Sequence, residues 1–210
     1  MDGSLGLITI FGSAFLIGFS GALMPGPMFA LVLSGSSKSG FKAGPLTVLG
    51  HGILELALVI GLVLGLSSLL QNETVIKVIG IVGGGVLVYL GVDMIRSMRQ
   101  AKIDLKKEGK DPGKRFILHG IITSLSNPYW IMWWATIGMA LMLSASKYRL
   151  WGVVVFFIGH ILADLVWYSS VSLAVGRGRK FLSQKAYQSI IAVCGVLLIG
   201  FGIYFVYGAL

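Results

Sequence analysis

Cysteine is all but missing from this chain: Cys194 stands alone among 210 residues, so no intrachain disulfide can form. A lone cysteine in an apolar stretch reads as a small packing residue. Charge is scarce as well. Asp, Glu, Lys and Arg make up only 12% of the residues, about half the share of a soluble domain. Nothing outside the apolar runs is long enough for a soluble unit, so a single membrane domain over 1–210 is expected. No catalytic serine, cysteine or metal motif stands at soluble-enzyme spacing, and there is no cofactor fingerprint. That disfavours an enzyme and predicts no cofactor. The net charge of +9 does not imply nucleic acid, because its placement suits loops at a membrane surface.

What is plentiful is apolar. Hydrophobic residues make up 56% of the chain, and the mean hydropathy is +0.88. This is the composition of a polytopic, all-α membrane protein. Thirty glycines, roughly double ordinary usage, fit helices packed closely in lipid through small residues. Asp2 and no basic residue precede the first apolar run, and no short h-region with a cleavage site is visible. The N-terminus therefore reads as a retained span, not a signal peptide.

Leu5 to Met24 carries no charge and is long enough to cross a bilayer as one helix. Pro25-Gly26-Pro27 then interrupts it before apolar sequence resumes at Met28. Proline removes a helix hydrogen bond, clashes with the preceding turn and pushes the residue before it out of the helical region. Broken backbone survives at membrane depth only where protein buries it or where it lines a cavity. The interruption therefore points to a transport site.

Six spans can be drawn: Leu5 to about Ser34, Gly44 to Leu66, Val75 to Ile95, Phe116 to Leu143 with an interruption at Asn127-Pro128, Leu150 to Val175, and Ile190 to Tyr207. The stretch from Arg96 to Arg115 is too charged for lipid. With the N-terminus outside, 14 of the 17 Lys and Arg face the cytoplasm, and only Lys77, Lys147 and Arg149 do not. Such asymmetry places both termini outside the cell membrane and the long loop inside.

The two halves resemble each other. Gly50-His51 is followed by Glu55, and Gly159-His160 by Asp164, at an offset of 109. Gly85-Val86-Leu87 returns as Gly195-Val196-Leu197 at 110, and the broken spans at Pro25 and Pro128 lie 103 apart. Three spans per half require the second copy to be inverted. The expected layout is repeat one over 1–98, a cytoplasmic linker over 99–114 and repeat two over 115–210. Inverted repeats with discontinuous first and fourth helices place a transport site near the midplane.

Glu55 and Asp164 are the two acidic residues that fall at mid-depth in these spans. His51 shares a helix face with Glu55, and His160 with Asp164. Intramembrane ionisable residues are functional by default, although each histidine could merely bond its own acid. Two chemistries fit. Burial favours the protonated form of a carboxylate, which exchange of a proton for an ammonium-bearing solute requires. Alternatively, His51, Glu55, His160 and Asp164 would converge as ligands of a divalent metal. Half-helix N-termini after Pro27 and Pro128 suit a carboxylate. Ser124, Ser126 and Asn127 could satisfy freed backbone or touch the cargo, with helix back-bonding the plainer role for the serines. Trp130, Trp133 and Trp134 are first expected to pack or to face lipid, and second to form a cation–π wall. Trp167 and Tyr168 could wall the same cavity.

These features resemble the lysine/threonine exporter (LysE/RhtB) family, over nearly the whole chain. The carriers are Pro25-Gly26-Pro27, the punctuation Gly40, Gly44 and Gly50 ahead of Glu55, Tyr89-Leu90-Gly91 before a basic loop, and Asn127-Pro128. The resemblance implies a six-helix inverted-repeat fold, proton-driven export of small solutes such as amino acids, and homodimers. By position, Pro25, Gly26, Pro27, Glu55, Asn127 and Pro128 would be site or gate residues. The family commonly reads Asn-Pro-Lys where Tyr129 follows here, and His51 and His160 lie outside its pattern. Metal-ion exporters belong to the same superfamily, so a divalent-cation exporter is the alternative. The reading is a secondary exporter of amino acids or similar small amines. Glu55 and Asp164 carry proton and ammonium, His51 and His160 assist the proton, and Ser126 and Trp130 join the breaks as cargo contacts.

Overall fold

Peptide groups in hydrocarbon must bond within their own segment, and the chain answers with helices throughout. The computed structural model describes residues 3–24, 26–66, 73–98, 112–178 and 183–210, and contains no strand among them. The expected break residue Pro25 and most of the basic linker lie outside the described residues.

In chain order the helices are α1 (Gly3–Ala22), α2 (Pro27–Ser39), α3 (Ala43–Gly61), α4 (Glu73–Ser97), α5 (Pro112–Leu125), α6 (Pro128–Trp133), α7 (Met139–Ser146), α8 (Arg149–Gly178) and α9 (Gln184–Ala209). A 3-10 turn (Gly40–Lys42) joins α2 to α3. Wide π turns follow α3 (Leu62–Leu66) and α6 (Trp134–Gly138). Among the described residues, five helices are long and apolar enough to cross a membrane. The expected interruption of the fourth span at Asn127-Pro128 is present: α5 ends before it, and α6, the π turn and α7 continue as one helical run to Ser146.

Both interruptions are built locally. α1 closes with Met24 N–H donating to the Gly21 carbonyl at 3.2 Å, and α2 restarts with Ala30 N–H on the Gly26 carbonyl at 3.1 Å. Pro27 is the first residue of α2, where its missing N–H costs nothing. Pro128 opens α6 in the same way. Asn127 caps that helix, its side-chain oxygen accepting from Tyr129 N–H at 3.2 Å. Gly40 ends α2 at φ 68, a left-handed backbone that glycine adopts freely.

α8, thirty residues long and so about 45 Å, is with Tyr148 just before it the rail along which α1 and α2 are laid. Gly6 meets Tyr148, Gly18 meets Ala163 and Gly40 meets Gly176. α1 and α2 thus run in succession along one helix, as two parts of an interrupted span. α3 crosses α5 with Gly50 against the Ile117 carbonyl and Gly120 against the Thr47 carbonyl. α1 crosses α8 with Gly159 against the Phe11 carbonyl. α4 and α9 lie face to face. Gly84 and Gly202 each back onto the other's carbonyl, and so do Gly91 and Gly195. A Cβ on Gly85 would meet nothing, whereas Gly84 makes the contact. Tyr129 ties α6 to this pair, its ring 6.2 Å from those of both Phe201 and Phe205.

Candidate functional site

α3 presents His51 and Glu55 one turn apart, and α8 presents His160 and Asp164 one turn apart. The two helices bring the pairs together. His51 Nε2 lies 3.1 Å from Glu55 Oε1 and 3.7 Å from Asp164 Oδ2. His160 Nε2 lies 3.1 Å from Glu55 Oε2 and 3.8 Å from Asp164 Oδ2. Each imidazole thus faces both carboxylates. Glu55 keeps 1% of its surface exposed and Asp164 4%. Carboxylates taken this far from water need paired charge and hydrogen bonds. Two imidazolium rings can balance two carboxylates, and the cluster is composed accordingly.

The acids are not served alike. The indole N–H groups of Trp130 and Trp134 both donate to Glu55 Oε1, at 2.9 and 2.8 Å. Asp164 has no such donor: its Oδ2 is buried without a hydrogen bond. Glu55 Oε2 and His160 Nδ1 are likewise buried without a hydrogen bond, the former lying within ion-pair distance of His160 but poorly aligned. Behind His51, the Ser124 hydroxyl sits 2.6 Å from Nδ1 and donates to the Gly120 carbonyl at 2.7 Å. His160 is clamped by aromatic faces. Trp133 stacks on it at 4.7 Å, and Phe156 lies nearly parallel at 6.2 Å.

Both breaks open onto this cluster. A cavity of about 40 Å³ is lined by Gly26, Asn127, all four ionisable residues, Ser124, Trp130, Trp133 and Tyr168, among others. That is room for about three waters. Gly26 and Asn127 lie side by side, a Cβ on the former falling 3.8 Å from the latter's amide nitrogen.

Of the expected site residues, Gly26, Glu55, Asn127, Asp164, Trp130, His51 and His160 line this cavity together. Pro27 and Pro128 start the helices beside it. Ser126 does not join them. It is exposed, and its hydroxyl bonds the Ile122 carbonyl at 2.8 Å, the back-bonding role. Ser124 takes the place expected for it. The tryptophans pack, as first expected, with Trp133 and Trp134 buried in the core and Trp130 against it, but their polar edges also serve the cluster. Trp130 and Trp134 bond Glu55, and Trp133 covers His160. Tyr129 and Met28 were not singled out as cavity residues, and the indole bonds of Trp130 and Trp134 to Glu55 were not foreseen. The i, i+4 spacing of Trp130 and Trp134 after a helix break was the available signal.

As a metal centre the cluster fits less well. Donor atoms of His51, Glu55 and Asp164 lie within 4.8 Å of one another, which is close enough to converge on a cation. Glu55 Oε1, however, already accepts from two indoles, so the arrangement is not an open ligand set.

Known proteins give the same direction. The chain is 26% identical over 201 residues to the Bacillus subtilis protein named "Putative amino acid efflux protein YcgF", covering 95% of this chain and 96% of that one. It is 29% identical to the chemotactic transduction protein ChpE of Pseudomonas aeruginosa, covering 92% and 96%. It is 31% identical to the Escherichia coli membrane protein YahN, covering 82% and 79%. No solved structure matches. Residues 19–209 match the family model described as LysE type translocator, so the chain, a multi-pass helical membrane protein, belongs to that family.

Proposed function

We propose that the protein is a secondary exporter of amino acids or similar small amines, working by proton-coupled antiport across the cytoplasmic membrane. The observation that carries the reading is the burial of two carboxylates and two imidazoles beside two broken helices. A proton or a cargo ammonium can take a carboxylate in turn, and the neutralising charge is always in reach. The uncapped N-terminus of α2, with Gly26 and Met28 at the cavity, offers N–H groups to a cargo carboxylate. The relative named for amino acid efflux supports the same cargo class.

In this reading 1–210 is one membrane domain, built as an inverted repeat with both termini outside and working as a homodimer. Reciprocal contacts support the repeat. The Gly50–Ile117 approach of α3 to α5 has its counterpart in the Gly159–Phe11 approach of α8 to α1. The Gly84–Gly202 contact maps onto Gly195–Gly91 when the halves are exchanged. The basic loops set the orientation.

The test is transport by purified protein in liposomes under an imposed pH gradient, with amino acids beside divalent ions. Amino acid movement against its gradient, abolished by Glu55→Gln in a folded protein, is the expected result. A Glu55→Gln variant with wild-type rate and pH dependence sinks the coupling role. Movement of divalent ions alone sinks the cargo.

A further inference from the structure

A second, larger chamber, open on the side where Thr136, Ile137 and Tyr204 are exposed, adjoins the buried site. About 470 Å³ lies between α4, α9 and the α6 segment, bounded by Met132, Thr136, Ile137, Tyr204 and Phe205. Glu73 and Lys77, in the first turns of α4, are the charged residues on its described wall, and Gly208 and Ala209 line it near the end of α9. Tyr129 and Trp133 are common to both cavities. They are the partition between a polar compartment too small for an amino acid and an apolar one large enough for a bulky side chain.

The partition is fastened at one point. The Tyr129 hydroxyl donates to the Ser20 carbonyl at 3.0 Å, and Trp133 Nε1 donates to the Ser20 hydroxyl at 3.1 Å. Both bonds run from the α6 segment to α1, two residues before that helix ends. Across from Ser20, Tyr129 leans on Phe201 and Phe205 of α9. These two bonds therefore hold α6 against the break in the first span. The six-residue α6 sits between Asn127 and the π turn at Trp134, so both of its ends are irregular and can absorb a rotation.

We propose that the chamber is the outward arm of the transport path, that it receives the apolar side chain of the cargo, and that Tyr129 and Trp133, latched to Ser20, are the gate between it and the buried cluster. The proposal rests on the exporter reading and deepens it. The favoured cargo is an amine with a large aliphatic or aromatic side chain, not a basic one, because the described wall is mainly aromatic and aliphatic and its Glu73 and Lys77, one charge of each sign, lie together in the first turns of α4. Continuity with the polar cavity through two shared residues argues for cargo over a lipid tail or a second copy of the chain.

Two measurements decide it. In the first, Thr136→Trp fills the chamber. The leucine-to-glycine ratio of counterflow in liposomes should fall about tenfold, the scale of a filled apolar pocket. An unchanged ratio overturns the chamber as the side-chain site, while wild-type amino acid transport keeps the exporter reading standing. A wild type that moves no amino acid ends both. The second measurement needs no cargo. In a Cys194→Ala background, Met24→Cys puts a thiol in the buried cavity and Thr136→Cys puts one in the chamber. A charged methanethiosulfonate is added to sealed vesicles on the face bearing Glu73 and Lys77. The chamber thiol should react at once and the buried one slowly. Tyr129→Phe, one atom removed, or Ser20→Ala should speed the buried reaction about fivefold, the effect of one lost hydrogen bond. Equal rates with the latch intact or cut overturn the gate. An unreactive chamber thiol means that lipid or a second copy fills the space, and overturns the path.

Discussion

Glu55 on α3 and Asp164 on α8 share one cluster, yet Glu55 takes two indole bonds while the buried Oδ2 of Asp164 has no hydrogen bond. Each stands four residues after a histidine on a long helix, and each faces both imidazoles. Only Glu55 has indole donors, because Trp130 and Trp134 follow the break in the second half and reach across to the first. The first half offers no counterpart: Gly26, Pro27 and Met28 stand where Asn127, Pro128 and Tyr129 stand in the second, and no tryptophan follows. The matching histidine–acid spacings therefore supply the ionisable groups, and the different residues after the two breaks give them different surroundings.

Substitutions can break this comparison. Glu55→Ala strands two indoles and two imidazoles in a dry interior and should cost about 3–5 kcal/mol, the range for removing one partner of a buried ion pair. A thermal melt of detergent-purified protein reads it. Asp164→Ala removes a group with looser partners and should cost less, about 1–3 kcal/mol. Equal losses at the two positions would erase the asymmetry. Trp134→Phe keeps an aromatic ring but deletes one bond to Glu55 and leaves a small void, so about 1–3 kcal/mol is expected, with the melt and the transport rate both lowered. Ser124→Ala frees His51 Nδ1 and should have the smallest effect, about 1 kcal/mol, read in the same melt.

Much of this arrangement was legible before any coordinates. Long uncharged runs announce membrane helices, Pro27 and Pro128 announce the restarts, and histidine–acid spacing announces two charged faces. Four things were not legible, each for a physical reason. Indole direction depends on the π turn at Trp134–Gly138, a backbone feature that periodicity does not reveal. Gly84-Gly85 offers two adjacent candidates for one contact, and only helix rotation picks Gly84 over Gly85. Ser124 and Ser126 are alike in sequence, but two residues of helix turn one inward and the other out. That the four ionisable side chains meet at all follows from the α3–α8 crossing, which no local spacing specifies.

The mutual contacts of Gly84 with Gly202 and of Gly91 with Gly195 carry a consequence for how this chain can vary. Where a large side chain meets a small one, a gain on one helix can be matched by a loss on the other. Here neither partner has anything to give up, so an added methyl must push whole helices apart. Such a seam admits no reciprocal swap, and α4 and α9 should travel as one plate whenever the rest of the molecule rearranges.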